Sequence, residues 1–188
     1  MALSTPSIYI LDEPQDYDGS QLRPHWIYET VGEAGDAIAV FRGRADVSVE
    51  RLVDLADVLD DLFIASDDML HFIVESFGPD LDRAVLFQRL LMLIAYEQLI
   101  LQGVDGLRRS GDDLFLGDGK LSVSIATVSR VSCLIHVGIN IVNEGTPVET
   151  ACLTQAGVDP VSFGRDCAVA FARELTEMCA ATTKVRGV

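Results

Sequence analysis

The sequence predicts an α+β protein built on a mixed, largely antiparallel sheet with helices packed on one side. Two observations carry this. Short runs rich in Val, Ile, Phe and Tyr alternate with turn-rich segments along most of the chain, which is the pattern of a sheet with hairpin connections. Only two stretches are long and apolar enough for core helices.

SIYIL (Ser7 to Leu11) reads as the first strand, and the Pro, Asp and Gly of DEPQDYDGSQLRP then forbid regular structure. HWIYE and Ala37 to Phe41 are further strand candidates, the second running into Arg42, Gly43 and Arg44. Arg51 to Phe63 places Leu52, Leu55, Ala56, Leu59 and Leu62 at helical spacing, so the pattern predicts one amphipathic helix. Leu70 to Phe77 has the bulky residues of a strand, and His71 within it is expected as a satisfied core histidine. PDLD then opens a long helix that ends near Gly103, because acidic residues favour a helix N-terminus. Near the C-terminus a short helix is predicted around Glu149 to Ala156. A longer one follows, with Phe163, Cys167, Phe171, Leu175 and Met178 on one stripe.

Composition narrows the class. The 188 residues suit one domain spanning 1–188, and 49% hydrophobic content supplies its core. A formal net charge of −15 repels phosphate backbones and disfavours nucleic-acid binding. Cys133, Cys152, Cys167 and Cys179 lack paired metal-site spacing and read as reduced thiols of a cytoplasmic protein. Ala84 to Leu101 is interrupted by Gln88, Arg89, Glu97 and Gln98, so it is expected as a buried helix and not a membrane span.

The informative stretch is DGKLSVSIATVSRVSCLIHVGINI, Asp118 to Ile141, which holds one of only two lysines. Alternation puts Lys120, Ser122, Ser124 and Ala126 on one side of the first strand and His136, Gly138 and Asn140 on one side of the second. A turn at Ser129 and Arg130 pairs residues whose numbers sum to about 260, facing Ser124 with His136 and Lys120 with Asn140. The two polar sets then meet as a platform of small residues, with Lys120 at one end and His136 near the other. Such a face is either a ligand platform or the ordinary solvated side of an antiparallel sheet.

GDDLFLGDGKLSVSIA followed by LIHVGINI resembles the catalytic core of biotin and lipoate protein ligases, a fold related to class II aminoacyl-tRNA synthetases. On that pattern Asp113 matches the aspartate of a turn, Lys120 the lysine that contacts acid and phosphate groups, and Gly138 and Asn140 the Gly and Asn of the next strand. FRGRADV, with Arg42, Gly43 and Arg44, is what stands where those enzymes carry a phosphate loop. Val123 and Asp112 depart from the pattern, which has Gly and Asn there. Over nearly the whole chain DGSQL, FRGRADV, MLHFIVESF and KVRGV are similar to an uncharacterised prokaryotic domain-of-unknown-function family (DUF366-like).

The resemblance implies binding of a small carboxylate or nucleotide-like ligand, with Ser122, Ser124, Gly138 and Asn140 on the platform. It further implies ATP-dependent acyl-adenylate formation and transfer to an amine of an acceptor protein, by a homodimer using ATP and Mg²⁺. Lys120 with Arg42 or Arg44 would stabilise the charge, and Asp113 would hold the metal or orient the lysine. Two alternatives stand beside it. One is an ATP-independent acyltransferase of the octanoyltransferase kind, with His136 shuttling a proton to Ser124. The other is a non-catalytic ligand-binding protein.

Overall fold

A computed structural model describes residues 4–60, 63–146 and 148–187. Its elements run β1 (Ser7–Ile10), α1 (Trp26–Val31), β2 (Ala37–Val47), a 3-10 turn (Val49–Arg51), α2 (Leu55–Leu59), β3 (Ile64–Phe77) and α3 (Leu81–Leu101). They continue through β4 (Leu107–Ser110), β5 (Asp113–Leu116), β6 (Gly119–Lys120), β7 (Ser122–Val128), β8 (Ser132–Asn140), α4 (Leu153–Ala156) and α5 (Pro160–Thr183). The five-stranded sheet has the order β1-β2-β3-β8-β7, with β1 parallel to β2 and the other pairs antiparallel. A small sheet, β4-β5-β6, lies beside it. This is the mixed, largely antiparallel α+β class that the sequence predicts.

The long helices α3 and α5 cover one face. Val40, Phe72, Val74, Val137 and Ile139 pack there against Phe87 and Leu91 of α3 and against Phe163 and Phe171 of α5. α3 is the one helix among the described residues long and apolar enough to cross a membrane, yet Phe87, Leu91, Met92, Ala95 and Leu99 are buried within the protein. Both helices start on a side-chain cap. Asp80 accepts from the Arg83 amide, and Asp159 accepts from the Ser162 amide at 2.8 Å with Pro160 in the first turn. Replacing Asp159 by Ala leaves that donor to water, and thermal or urea unfolding should show a loss of about 1 kcal/mol.

The opposite face carries the N-terminal segment, where Tyr17, Trp26, Ile27, Phe41 and Ile73 form a second, smaller core. Here HWIYE is not a strand. Trp26 and Ile27 are adjacent buried residues of a six-residue helix whose C-cap, Gly32, takes a left-handed φ of 80°. The preceding His25 amide donates to the buried Glu75 carboxylate at 2.9 and 3.0 Å, a contact 50 residues away in sequence. So short a run has no periodicity of its own, and tertiary burial decided its form.

The predicted helix over Arg51 to Phe63 is also cut down, to Leu55–Leu59. Leu55 and Leu59 are 75% and 85% exposed, so no core draws the amphipathic pattern into a longer helix. Leu62 lies outside the described residues.

The most consequential difference is the register of the β7–β8 hairpin. Val123 faces Gly138, Ile125 faces His136, and Ser122 and Ser124 face Ile139 and Val137. The slip from the expected pairing is one residue, because the turn closes through Ser129 N–H to the Ser132 carbonyl at 2.8 Å, with the Ser129 hydroxyl accepting from Val131 and Ser132 amides. One residue of slip turns every side chain to the other face. Ser122 and Ser124 therefore point to the helix side, where the Leu114 amide donates to the Ser122 hydroxyl, and the Ser124 hydroxyl meets the Asp112 carbonyl and Gln88. The polar sets of the two strands do not meet.

Candidate functional site

The face of β3, β7 and β8 away from α3 and α5 opens into a cleft of about 540 Å³. Its walls are mainly apolar: Met69, Val123, Ile125, Val47 and Ile64 from the sheet, with Leu52 and Phe63 from the segment between β2 and β3. Gly138 keeps the floor open. A Cβ there would lie 2.8 Å from Met69 Cε and 3.1 Å from Val123 Cγ2.

Lys120 and Asp113 stand on this cleft together, Nζ to Oδ1 at 3.1 Å, and their side chains are about one-third exposed. Lys120 is fixed from its backbone. The Asn140 amide donates to the carbonyls of Lys120 and Ala151, each at 3.2 Å, while the Ala151 amide donates to the Lys120 carbonyl at 3.0 Å. Asn140 thus clamps the β6–β7 crossing against the chain at 150–151 and sets the place from which the lysine reaches out. Asp112 is turned to α3, accepting from Gln88 Nε2 at 2.9 Å and pairing with Arg89.

His136 lies deeper, only 2% exposed, with the ring of Tyr17 stacked on it at 3.8 Å and 11°. Its Nε2 is 3.1 Å from Nδ1 of His71, whose Nε2 lies 3.2 Å from the Gly43 carbonyl. Burial lowers the His71 pKa to about 4, and burial together with the neighbouring imidazole pushes His136 well below its ordinary value. Both rings are neutral at physiological pH.

The remaining candidates are elsewhere. Ser122 and Ser124 border the cleft from β7, but their hydroxyls are bound on the helix side. Ser124 is therefore out of reach of His136, and a Ser–His proton shuttle has no geometry here. Arg42 pairs with Asp68 through Nε at 2.8 and 2.9 Å, Arg44 pairs with Asp46 at 3.1 Å, and neither lines the cleft. Gly43 acts through its backbone, as the acceptor of His71. Cys133, on the helix face, is fully buried.

Four contributors had no sequence signal. Tyr17 sits in what reads as a turn-rich loop, yet its backbone pairs with Arg44 and Asp46 and extends the edge of β2. Arg51, paired with Asp18 at 2.8 Å, is the second cation lining the cleft. Asp54 and Asp57 line it too, and burial, with the charges of Asp54, Asp113 and Asp60, raises the Asp57 pKa against the pull of Lys120.

This charge pattern tests the nucleotide that the ligase resemblance implies. Against Lys120 and Arg51 stand Asp54, Asp57 and Asp113, with Asp112 turned to Arg89, and both cations already hold a carboxylate. Among the described residues no group of three or more His, Cys, Asp or Glu side chains is placed to hold a metal ion. For a polyphosphate the cleft thus offers two cations that are each already paired, with Asp54, Asp57 and Asp113 as oxygen donors of the kind a magnesium ion takes.

The fold and site have known counterparts. The chain belongs to the family described as "Domain of unknown function (DUF366)", whose model matches residues 7–186. The uncharacterized protein MJ0805 of Methanocaldococcus jannaschii is 36% identical over 179 residues, which cover 92% of this chain and 80% of that protein. A protein of unknown function from Pyrococcus horikoshi superposes with a TM-score of 0.92 at 40% identity, covering 97% of this chain and 98% of that one. A putative lipoate protein ligase from T. acidophilum, solved with lipoic acid, superposes at 0.59 with 16% identity, over 93% and 87% of the two chains. The biotin and lipoate ligase-like fold expected from the hairpin is the fold of this protein.

Proposed function

We propose that the protein binds a small molecule with an apolar body and a carboxylate or acyl head in the β3–β7–β8 cleft, without nucleotide. The observation that carries this is Lys120 held beside the apolar floor that Met69, Val123 and Ile125 give the cleft. An ammonium has three donors. Asp113 takes one, which orients the group and leaves two for a ligand oxygen, a charge-assisted contact that an apolar surround strengthens. The lipoic acid bound by the T. acidophilum protein has this chemistry, an apolar chain ending in a carboxylate.

ATP-dependent adenylation is the weaker part of the ligase resemblance, because Arg42 and Arg44 are turned away and the cleft carries more carboxylates than cations. Acyl transfer to an acceptor amine without nucleotide is the second reading. The two open donors of Lys120 favour it, since they would polarise an acyl carbonyl as they pair with a carboxylate.

Calorimetric titration with octanoic and lipoic acids tests the first reading. Binding should raise the melting temperature, because the ligand stabilises only the folded state. ATP with magnesium should leave melting unchanged. Lys120→Ala should weaken binding by more than about tenfold while stability changes by less than about 1 kcal/mol, as expected for an ion pair about one-third exposed to water. Equal affinity of the variant would remove the lysine from the site.

A further inference from the structure

The two buried histidines form a chain whose proton positions follow from one fixed acceptor. A carbonyl only accepts, so the Gly43 carbonyl requires the His71 proton on Nε2. Neutral His71 then offers a bare Nδ1, and the contact at 3.1 Å requires a proton on Nε2 of His136. That leaves His136 Nδ1 as a lone pair. Among the described residues it has no hydrogen-bond partner, and it is not among the fully buried atoms, so on a residue that lines the cleft it keeps surface open to that space. The Tyr17 hydroxyl, on the ring stacked over His136, likewise has no hydrogen-bond partner among the described residues and belongs to a residue of the same wall. An acceptor held in one tautomer, beside a hydroxyl, both without a protein partner and both on residues that wall the cleft, is a poor surface for an alkyl chain and a good one for a polar, uncharged group.

We propose that the inner end of the cleft recognises a neutral hydrogen-bond donor on the ligand, an amide or ureido N–H or a hydroxyl, at His136 Nδ1, with Tyr17 completing the contact. This rests on the reading that Lys120 holds the ligand's acid head. The Asn140 clamp of Lys120 and His136 are four residues apart on β8, about 13 Å at strand rise. The ligand is then an acid of medium length whose far end is polar. His71 and the Gly43 carbonyl are positioning groups, which select the tautomer without touching the ligand.

Two measurements decide this separately. In the imidazole nitrogen spectrum of histidine-labelled protein near neutral pH, His71 and His136 should both carry the proton on Nε2 alone. A proton on His136 Nδ1 would overturn the relay. In His71→Leu, which removes the acceptor, His136 should show both tautomers, and an unchanged spectrum would deny His71 its positioning role.

For the ligand, octanoic acid is compared with suberic acid monoamide, an acid of similar length ending in an amide. The monoamide should bind about tenfold tighter, shift the His136 Nδ1 resonance that octanoic acid leaves in place, and lose its advantage in His136→Phe. Should that variant fail to fold, the resonance shift in the natural protein carries the comparison. Equal affinity for both acids, with Lys120 still required, would sink the donor subsite and spare the acid-head reading. No binding of either acid would sink both.

Discussion

Stability should fall steeply as the pH drops from about 6.5 to about 4, before most carboxylates titrate. His71 has a pKa of about 4 in the folded protein against 6.5 for an ordinary histidine, and His136 is displaced in the same direction. Above pH 6.5 both imidazoles are neutral in either state and stability is at its full value. Between 6.5 and 4 the unfolded chain takes up protons that the folded core refuses, so the unfolded state gains. For His71 alone the gap corresponds to about 3 kcal/mol, since each pKa unit is worth about 1.4 kcal/mol. A charge on one ring also opposes a charge on the other, so the pair resists protonation more than either ring would separately. Urea unfolding at a series of pH values reads the slope directly. In His71→Leu the decline over this window should shrink. A midpoint that stays level down to pH 4 would show that the rings are wet or charged in the native state.

Gly43→Ala should cost about 3 kcal/mol and disorganise the cleft together with the fold. A Cβ at this position would stand 2.0 Å from the Gln15 carbonyl oxygen and 2.5 Å from its carbon. Both are main-chain atoms of a segment pinned by Gln15 N–H to the Arg42 carbonyl at 2.9 Å and Tyr17 N–H to the Arg44 carbonyl at 2.8 Å. No side-chain rotation relieves that overlap, so the strand-like segment must leave the edge of β2. Tyr17 goes with it, and His136 loses its stacked ring. Near-ultraviolet dichroism should report the loss of tyrosine packing alongside a lower urea midpoint. Gly138→Ala is the internal comparison. There the nearest atom is the flexible end of Met69, which can turn aside, so the cost should be smaller. Equal effects of the two substitutions would mean that the N-terminal segment is not held against Gly43.

Where the chain repeats a pattern over many residues, the reading from the residues holds. α3 and α5 bury the stripe that their spacing marks, including Phe163, Cys167, Phe171 and Leu175, although Met178 reaches partly to solvent. β3 and β8 are strands where bulky residues run together, extended at the N-terminal end of β3 to Ile64. Short segments fared differently: HWIYE became a helix around the buried Trp26 and Ile27, and Leu55 and Leu59 found no core. The candidate site divides in the same way. Lys120, Asp113, His136, Gly138 and Asn140 all belong to the cleft or its floor, whereas the arginines of FRGRADV do not. Tyr17 joins from a turn-rich loop without periodicity, and Arg51 and Asp57 from the segment whose helical spacing marked only its apolar residues.

Local chemistry and alternation were enough to specify the α+β class, the two core helices, the long strands and Lys120, one of two lysines, in the hairpin motif. Those properties depend on neighbours within a few positions, and a single chain displays them openly. Which face of β7 meets which face of β8, and which loop closes over them, was decided only in three dimensions. A sheet register is set by the turn that closes it and by packing from distant segments, and a shift of one residue exchanges the two faces completely. That exchange sent Ser122 and Ser124 to the helices and brought Val123 and Ile125 to the hollow. It also left a histidine nitrogen facing the space where the ligand is proposed to lie.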